Sequence, residues 1–121
     1  IDSVSAATMW TLVWTVAVSW VLWGIALLGL SHALLQTVTA SVAAHIAAWA
    51  GAFLAGLIVV FAPAGLGARE GVMQAVLTRS GMPAADALVV AVVSRVWVTA
   101  LDVVPAVILL AIRRRRYNTS V

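Results

Sequence analysis

Arg95 and Asp102 interrupt a long apolar run that reaches from Ala87 to Ile112. On a membrane-spanning helix each such charge costs about 2.5–3.5 kcal/mol to insert. Seven residues of spacing puts both on one helix face, about 10 Å apart along the axis. That is too far for a direct ion pair on a straight helix, so the pattern predicts separate partners. Two chemistries fit. In one, Arg95 is an ionic tether to Glu70 on a neighbouring element. In the other, the pair lines a polar cavity that receives a charged lipid head group. Intramembrane charges mark functional sites by default.

A second polar element stands at Pro63–Glu70, Pro-Ala-Gly-Leu-Gly-Ala-Arg-Glu. Pro63, Gly65 and Gly67 break a helix and let the backbone approach a ligand. The segment leads into a helix start, where free N–H groups and the helix dipole favour an anion. Arg69 adds a planar fork suited to phosphate. Glu70 pairs with an arginine or a head-group amine rather than with the phosphate. The plain structural reading is a helix-breaking turn with Arg69 and Glu70 at an interface. The Gly-x-x-x-x-Gly-Lys spacing of a soluble phosphate loop is absent. No catalytic residues, nucleophilic triad, paired carboxylates, metal ligands or cofactor motif are expected, because His32 and His45 lie on different segments and Asp86 and Asp102 lie at different depths.

These residues need a non-aqueous scaffold, and the composition supplies one. Of 121 residues 64% are hydrophobic and only 9% charged, against roughly 25% charged in soluble domains. The mean hydropathy is +1.14. The net charge of +3 falls to −1 once Arg113, Arg114, Arg115 and Arg116 are set aside. The basicity therefore belongs to one helix end, and nucleic acid is not an expected partner. There is no cysteine, so the redox compartment leaves no trace. The chain opens on Ile1 without a basic, cleavable leader. The reading is the C-terminal part of a longer membrane protein, packed against further transmembrane helices.

Hydropathy predicts an all-α integral membrane fold with about three transmembrane helices and one short re-entrant or interfacial half-helix. The spans are 6–30, 42–61 and 83–112, the half-helix is 68–80, and 113–121 is a basic tail. Ser3 or Ser5 caps the first span. Trp10 and Trp14 suit an interfacial belt, whereas Trp20 and Trp23 fall mid-span and should pack or line a cavity. Ser31–Ser41 reads as an interfacial turn or short helix with a wetted His32. In the second span Ala44, Ala48, Ala52 and Gly56 form a row of small residues, with Ala43, Ala47, Gly51 and Ala55 beside it. Such rows let helices approach closely and predict a buried central helix, with His45 packed and hydrogen-bonded. The half-helix carries Glu70 in its first turn, Arg79 in its last and Gly81 as its stop. Pro105 should kink the last span near Leu101.

Four arginines abutting a span place the C-terminus in the cytoplasm. If 62–81 re-enters from the outer side, the first span begins outside and Ser31–Ser41 is cytoplasmic. If that stretch crosses instead, everything upstream inverts.

Pro63 to Glu70 resembles the Pro-Gly-Gly-x-Gly-x-Arg-Glu signature of the lysylphosphatidylglycerol synthase transmembrane region, the flippase-like domain family. The following helix, the Gly81 break and a long span with a mid-helix Arg (Ser94-Arg95-Val96) are also similar. The likeness covers Ala62 to Ile112, and Ala64 stands where the second glycine is usual. The resemblance implies lipid translocation in a multi-pass bacterial inner-membrane protein. It assigns head-group binding to Pro63, Gly65, Gly67, Arg69, Glu70 and Arg95, with Asp102 outside the pattern as a candidate ion partner. The implied partners are membrane lipids, an anionic phospholipid such as aminoacyl-phosphatidylglycerol or a polyprenyl phosphate carrying a sugar. No cofactor is implied. Two alternatives stand beside this: the transmembrane part of a lipid aminoacyl- or glycosyltransferase, and a structural transmembrane subunit.

Overall fold

The computed structural model describes residues 5–59 and 67–118. Among them the chain is all-helical, with α1 Ala6–Leu34, α2 Val42–Ile58, α3 Ala68–Arg79 and α4 Ala84–Asn118. Pro63 and Gly65 lie outside the described residues.

Local chemistry sets most helix ends. The Ser5 hydroxyl accepts from Thr8 N–H at 3.3 Å, and the Ser41 hydroxyl from Ala44 N–H at 3.2 Å, each satisfying a free donor of a first turn. At the end of α3, Gly81 adopts φ +98°, open to glycine without a Cβ penalty. Its N–H donates to Thr78 O and the Met82 N–H to Leu77 O, both at 3.1 Å. Leu77 and Met82, the apolar pair that closes such a C-terminal motif, are both buried.

α1 is longer than its sequence suggested. Ser31 to Leu34 continue the helix rather than opening a turn. Ser31 is tolerated there because its hydroxyl reaches Leu27 O on its own helix and His45 on α2, each at 3.0 Å. α2 is shorter than expected. Its 17 residues end at Ile58, giving about 25 Å, less than a full crossing. Among the described residues two helices, α1 and α4, are long and apolar enough to span a membrane, where three spans were expected. α4 runs through Pro105 and into the arginine run without a break in the helix.

The four helices run up-down-up-down. Trp23 stacks on Trp49 and Ser31 meets His45, so α1 and α2 are antiparallel. A Cβ on Gly56 would meet Arg69 and one on Gly51 would meet Val72, which makes α3 antiparallel to α2. The Thr39 hydroxyl donates to Gly81 O at 2.8 Å, joining the α1–α2 and α3–α4 connections at one end, here termed the base. α3 therefore returns to the end where α2 began, opposite to the end where α2 stops. The start of α1 and the end of α4 both point away from the base. The arrangement in which the first span starts on the side opposite the arginine run is thereby corrected. Ala62, whose side was expected to match that of Met82, is outside the described residues, but Ile58 and Met82 lie at opposite ends.

The core sits in the lower half, around Leu27, Ala44, Ala48, Ala52, Met73, Leu77, Val90 and Ala91. Of the two small-residue rows on α2, Ala44, Ala48 and Ala52 are buried, while Ala43 and Ala47 are exposed. α2 is thus central only on one side, since Phe53, Leu54 and Leu57 face outward. At Gly24, α1 and α2 nearly touch: a Cβ would stand 2.6 Å from Ile46 Cα. Beyond this bundle the upper halves of α1 and α4 stand clear. Only 11% of the most apolar stretch of α1 and 22% of that of α4 is buried by the chain.

Candidate functional site

α3 starts part-way up the bundle and presents its first turn to α2 and α4. Gly67, at φ +90°, bends the chain into the helix, and its N–H donates to Glu70 Oε2 at 2.8 Å. This is the half of a capping box that needs no N-cap side chain. The other carboxylate oxygen, Oε1, lies 3.9 Å from Arg95 Nε. The tether expected between α3 and α4 is therefore present, at the outer limit of ion-pair distance. Side-chain exposures of 24% for Arg95 and 15% for Glu70 place the contact in a partly dry setting.

Arg69 leaves the same turn in another direction. Its stem crosses α2 at Gly56, where a Cβ would stand 2.8 Å from both Cγ and Cδ. Its guanidinium carbon lies 5.8 Å from the centroid of the Trp49 ring, within cation–π range. Trp49 in turn stacks on Trp23 with centroids 4.7 Å apart and planes 5° from parallel. Glu70 pairs with Arg95 while Arg69 rests on Trp49, so three charged side chains, two of them cationic, meet in one recess. The local charge is positive and its environment favours an anion.

Arg69, Glu70 and Arg95 line one recess together with Trp49, Met73 and Ser94. Its enclosed space is about 10 Å³, room for one water. The recess is accordingly too small for a head group in this conformation, which departs from the roomy concave site the sequence suggested. Beside it runs an apolar groove of about 460 Å³ between α1 and α4, walled by Trp23, Leu27, Leu30, Ala33 and Trp97. Trp49, Ser94 and Val98 belong to both spaces. The polar and apolar spaces are therefore neighbours across a single wall.

Of the residues singled out in the sequence, Gly67, Arg69, Glu70 and Arg95 come together. Asp102 does not join them. It is exposed on α4, two turns beyond Arg95, and makes no ion pair among the described residues. Sequence reasoning missed Trp49 as a member of the site and Gly56 as the seat of the Arg69 stem. Gly56 did carry a signal: it ends the buried small-residue row, where a larger side chain would block Arg69.

A separate buried node lies near the base. His45 is fully buried. Its Nδ1 lies 2.8 Å from Ser41 O and its Nε2 3.0 Å from Ser31 Oγ. A carbonyl only accepts, so Nδ1 carries a hydrogen. The node locks α1 to α2 and has no access from outside. Among the described residues no three histidine or acidic side chains converge as a metal site would require.

Compared with known proteins, the chain matches no family model, no curated protein and no solved structure.

Proposed function

We propose that the chain is the membrane-embedded, lipid-handling part of a flippase-like protein, and that it holds the anionic head group of a phospholipid or polyprenyl phosphate. One observation carries this reading. Two arginines and one carboxylate gather at the start of a helix that begins part-way up the bundle, directly beside an apolar groove. A phosphate head group would sit against the two guanidinium groups, and its chain would lie in the groove between α1 and α4. The low burial of both long helices supports a lipid surround, because the core helix of a soluble protein is covered by its own chain. The likeness of Pro63–Glu70 and Arg95 to the flippase-like signature points the same way. With the arginine run on the cytoplasmic side, the same-end geometry of α1 and α4 puts both chain ends inside and the base outside. α2 and α3 then form a hairpin that enters from the outside and returns there.

Head-group binding requires the recess to open, and Arg69 is the movable wall. Its guanidinium rests on a ring face rather than in a fixed ion pair. The test is retention of anionic phospholipid by the intact chain purified from mixed phosphatidylcholine and phosphatidylglycerol bilayers. Arg69→Ala should lose the preference for phosphatidylglycerol, and Arg69→Lys should restore only part of it, because the bidentate fork is gone. Retention unchanged in Arg69→Ala would leave the recess as the one-water packing defect its size allows. The structural-subunit reading would then take over.

A further inference from the structure

Asp102 is an ionisable residue in the middle of α4 that the site does not use. It lies about 24 Å along the axis from Asp86 and about 17 Å short of Arg113, midway between the charged ends of the helix. Leu101, Val103, Val104, Val107 and Ile108 around it are all exposed. Neighbours on its own face include Val98, Thr99, Ala106 and Leu109. The Thr99 hydroxyl is committed to Arg95 O at 2.8 Å. No cation of this chain pairs with Asp102 among the described residues. A second copy in the same orientation would offer another Asp102 at that depth, with Arg95 about 10 Å lower. That meeting repels rather than pairs.

We propose that the Asp102 face of α4 is a docking surface for a further transmembrane helix, one that presents a lysine or arginine at mid-bilayer depth. The argument is charge complementarity. A carboxylate in hydrocarbon is tolerated when it faces a partner of opposite charge. Thr99 and Ala106, one turn to either side, are small enough to let a second helix come close. This inference rests on the membrane reading proposed above, but not on the lipid-binding reading.

The test reconstitutes the full chain in phosphatidylcholine vesicles with labelled host helices of leucine and alanine. One host has a central lysine, one a central leucine, and one a lysine near its end. Association is read by energy transfer. The central-lysine host should bind about tenfold more tightly than the other two. Asp102→Asn should abolish that preference, and Asp86→Asn, at the far end of α4, should keep it. Circular dichroism of each variant confirms an unchanged helix content. Equal binding of all three hosts to an inserted wild-type chain overturns the inference alone, as does a lysine preference that survives in Asp102→Asn. Self-association of the chain that requires Asp102 and excludes the lysine host overturns it too, in favour of a second copy. A chain extracted from the vesicles by alkaline carbonate would overturn both this inference and the membrane reading.

Discussion

Removing the Glu70 carboxylate should move stability and anion binding in opposite directions. Glu70 has two tasks: Oε2 takes the Gly67 N–H at 2.8 Å, and Oε1 faces Arg95 at 3.9 Å. Glu70→Gln keeps an acceptor for the N–H and loses the ion pair. A fully buried pair broken on one side costs about 3–5 kcal/mol, and an exposed one about 0.2–1 kcal/mol. This contact is long and partly exposed, so about 1–2 kcal/mol is expected. Glu70→Ala also removes the cap, adding about 1 kcal/mol. Anion binding should improve in both variants, because the competing negative charge is gone. At about 7 Å from a bound phosphate and an effective dielectric constant of about 20, that charge opposes binding by about 2 kcal/mol. Screening and side-chain relaxation reduce this, so a tightening of about tenfold is expected. The assays are denaturant unfolding in detergent micelles and phosphatidylglycerol retention by the same preparations. Lower stability together with weaker phosphatidylglycerol retention in Glu70→Gln would refute the reasoning. It would show that the carboxylate is itself a ligand, for instance of a head-group amine.

Gly24→Ala and Gly29→Ala form a matched pair on α1: the first Cβ meets the Ile46 backbone and the second meets nothing within 4 Å. Overpacking costs about 1–3 kcal/mol and the helix-propensity gain is about 1 kcal/mol. Gly24→Ala should therefore unfold earlier than the wild type and Gly29→Ala slightly later, in a thermal melt followed by circular dichroism. Ser31→Ala should cost about 1–3 kcal/mol by leaving His45 Nε2 without its partner in a dry interior, measured as a shift in denaturant midpoint at constant slope. Cysteines at Thr37 and Ser80 should label from one side of sealed vesicles, and those at Ser5 and Arg114 from the other. Labelling of Thr37 and Ser80 from opposite faces would dismantle the shared base.

Where local chemistry decides, the sequence was readable. Ser5 and Gly81 were recognisable as helix punctuation, and the start of α3 at Ala68 followed from the glycines before it. The Glu70–Arg95 contact was legible for another reason: a costly charge demands a partner, and few carboxylates are available. What escaped was set by contacts far apart in the chain. Ser31 looks like a turn residue until His45, fourteen positions later, takes its hydroxyl. The return of α3 to the base depends on a bond between Thr39 and Gly81. No periodicity in either segment encodes it. Likewise, the role of Trp49 arises only because Trp23 and Arg69 reach it from two other helices. Composition marks a tryptophan as interfacial or packed, and says nothing of what it stacks on.

The up-down-up-down order also bears on how the chain assembles. Each helix packs on its neighbour in sequence, through Trp23 with Trp49, Gly56 with Arg69, and Glu70 with Arg95. Nearly all closures are therefore local, and local closure sacrifices little chain entropy. The α1–α2 hairpin contains both rings of the tryptophan stack and the whole Ser31–His45–Ser41 node. It can dock as soon as Ile58 has left the ribosome, before either site arginine has emerged. α3 then lays Arg69 onto a finished aromatic surface. Only the approach of α4 to α1, across the groove, must wait until α4 itself has emerged. The groove is thus the last surface to form and the seam along which the bundle can part.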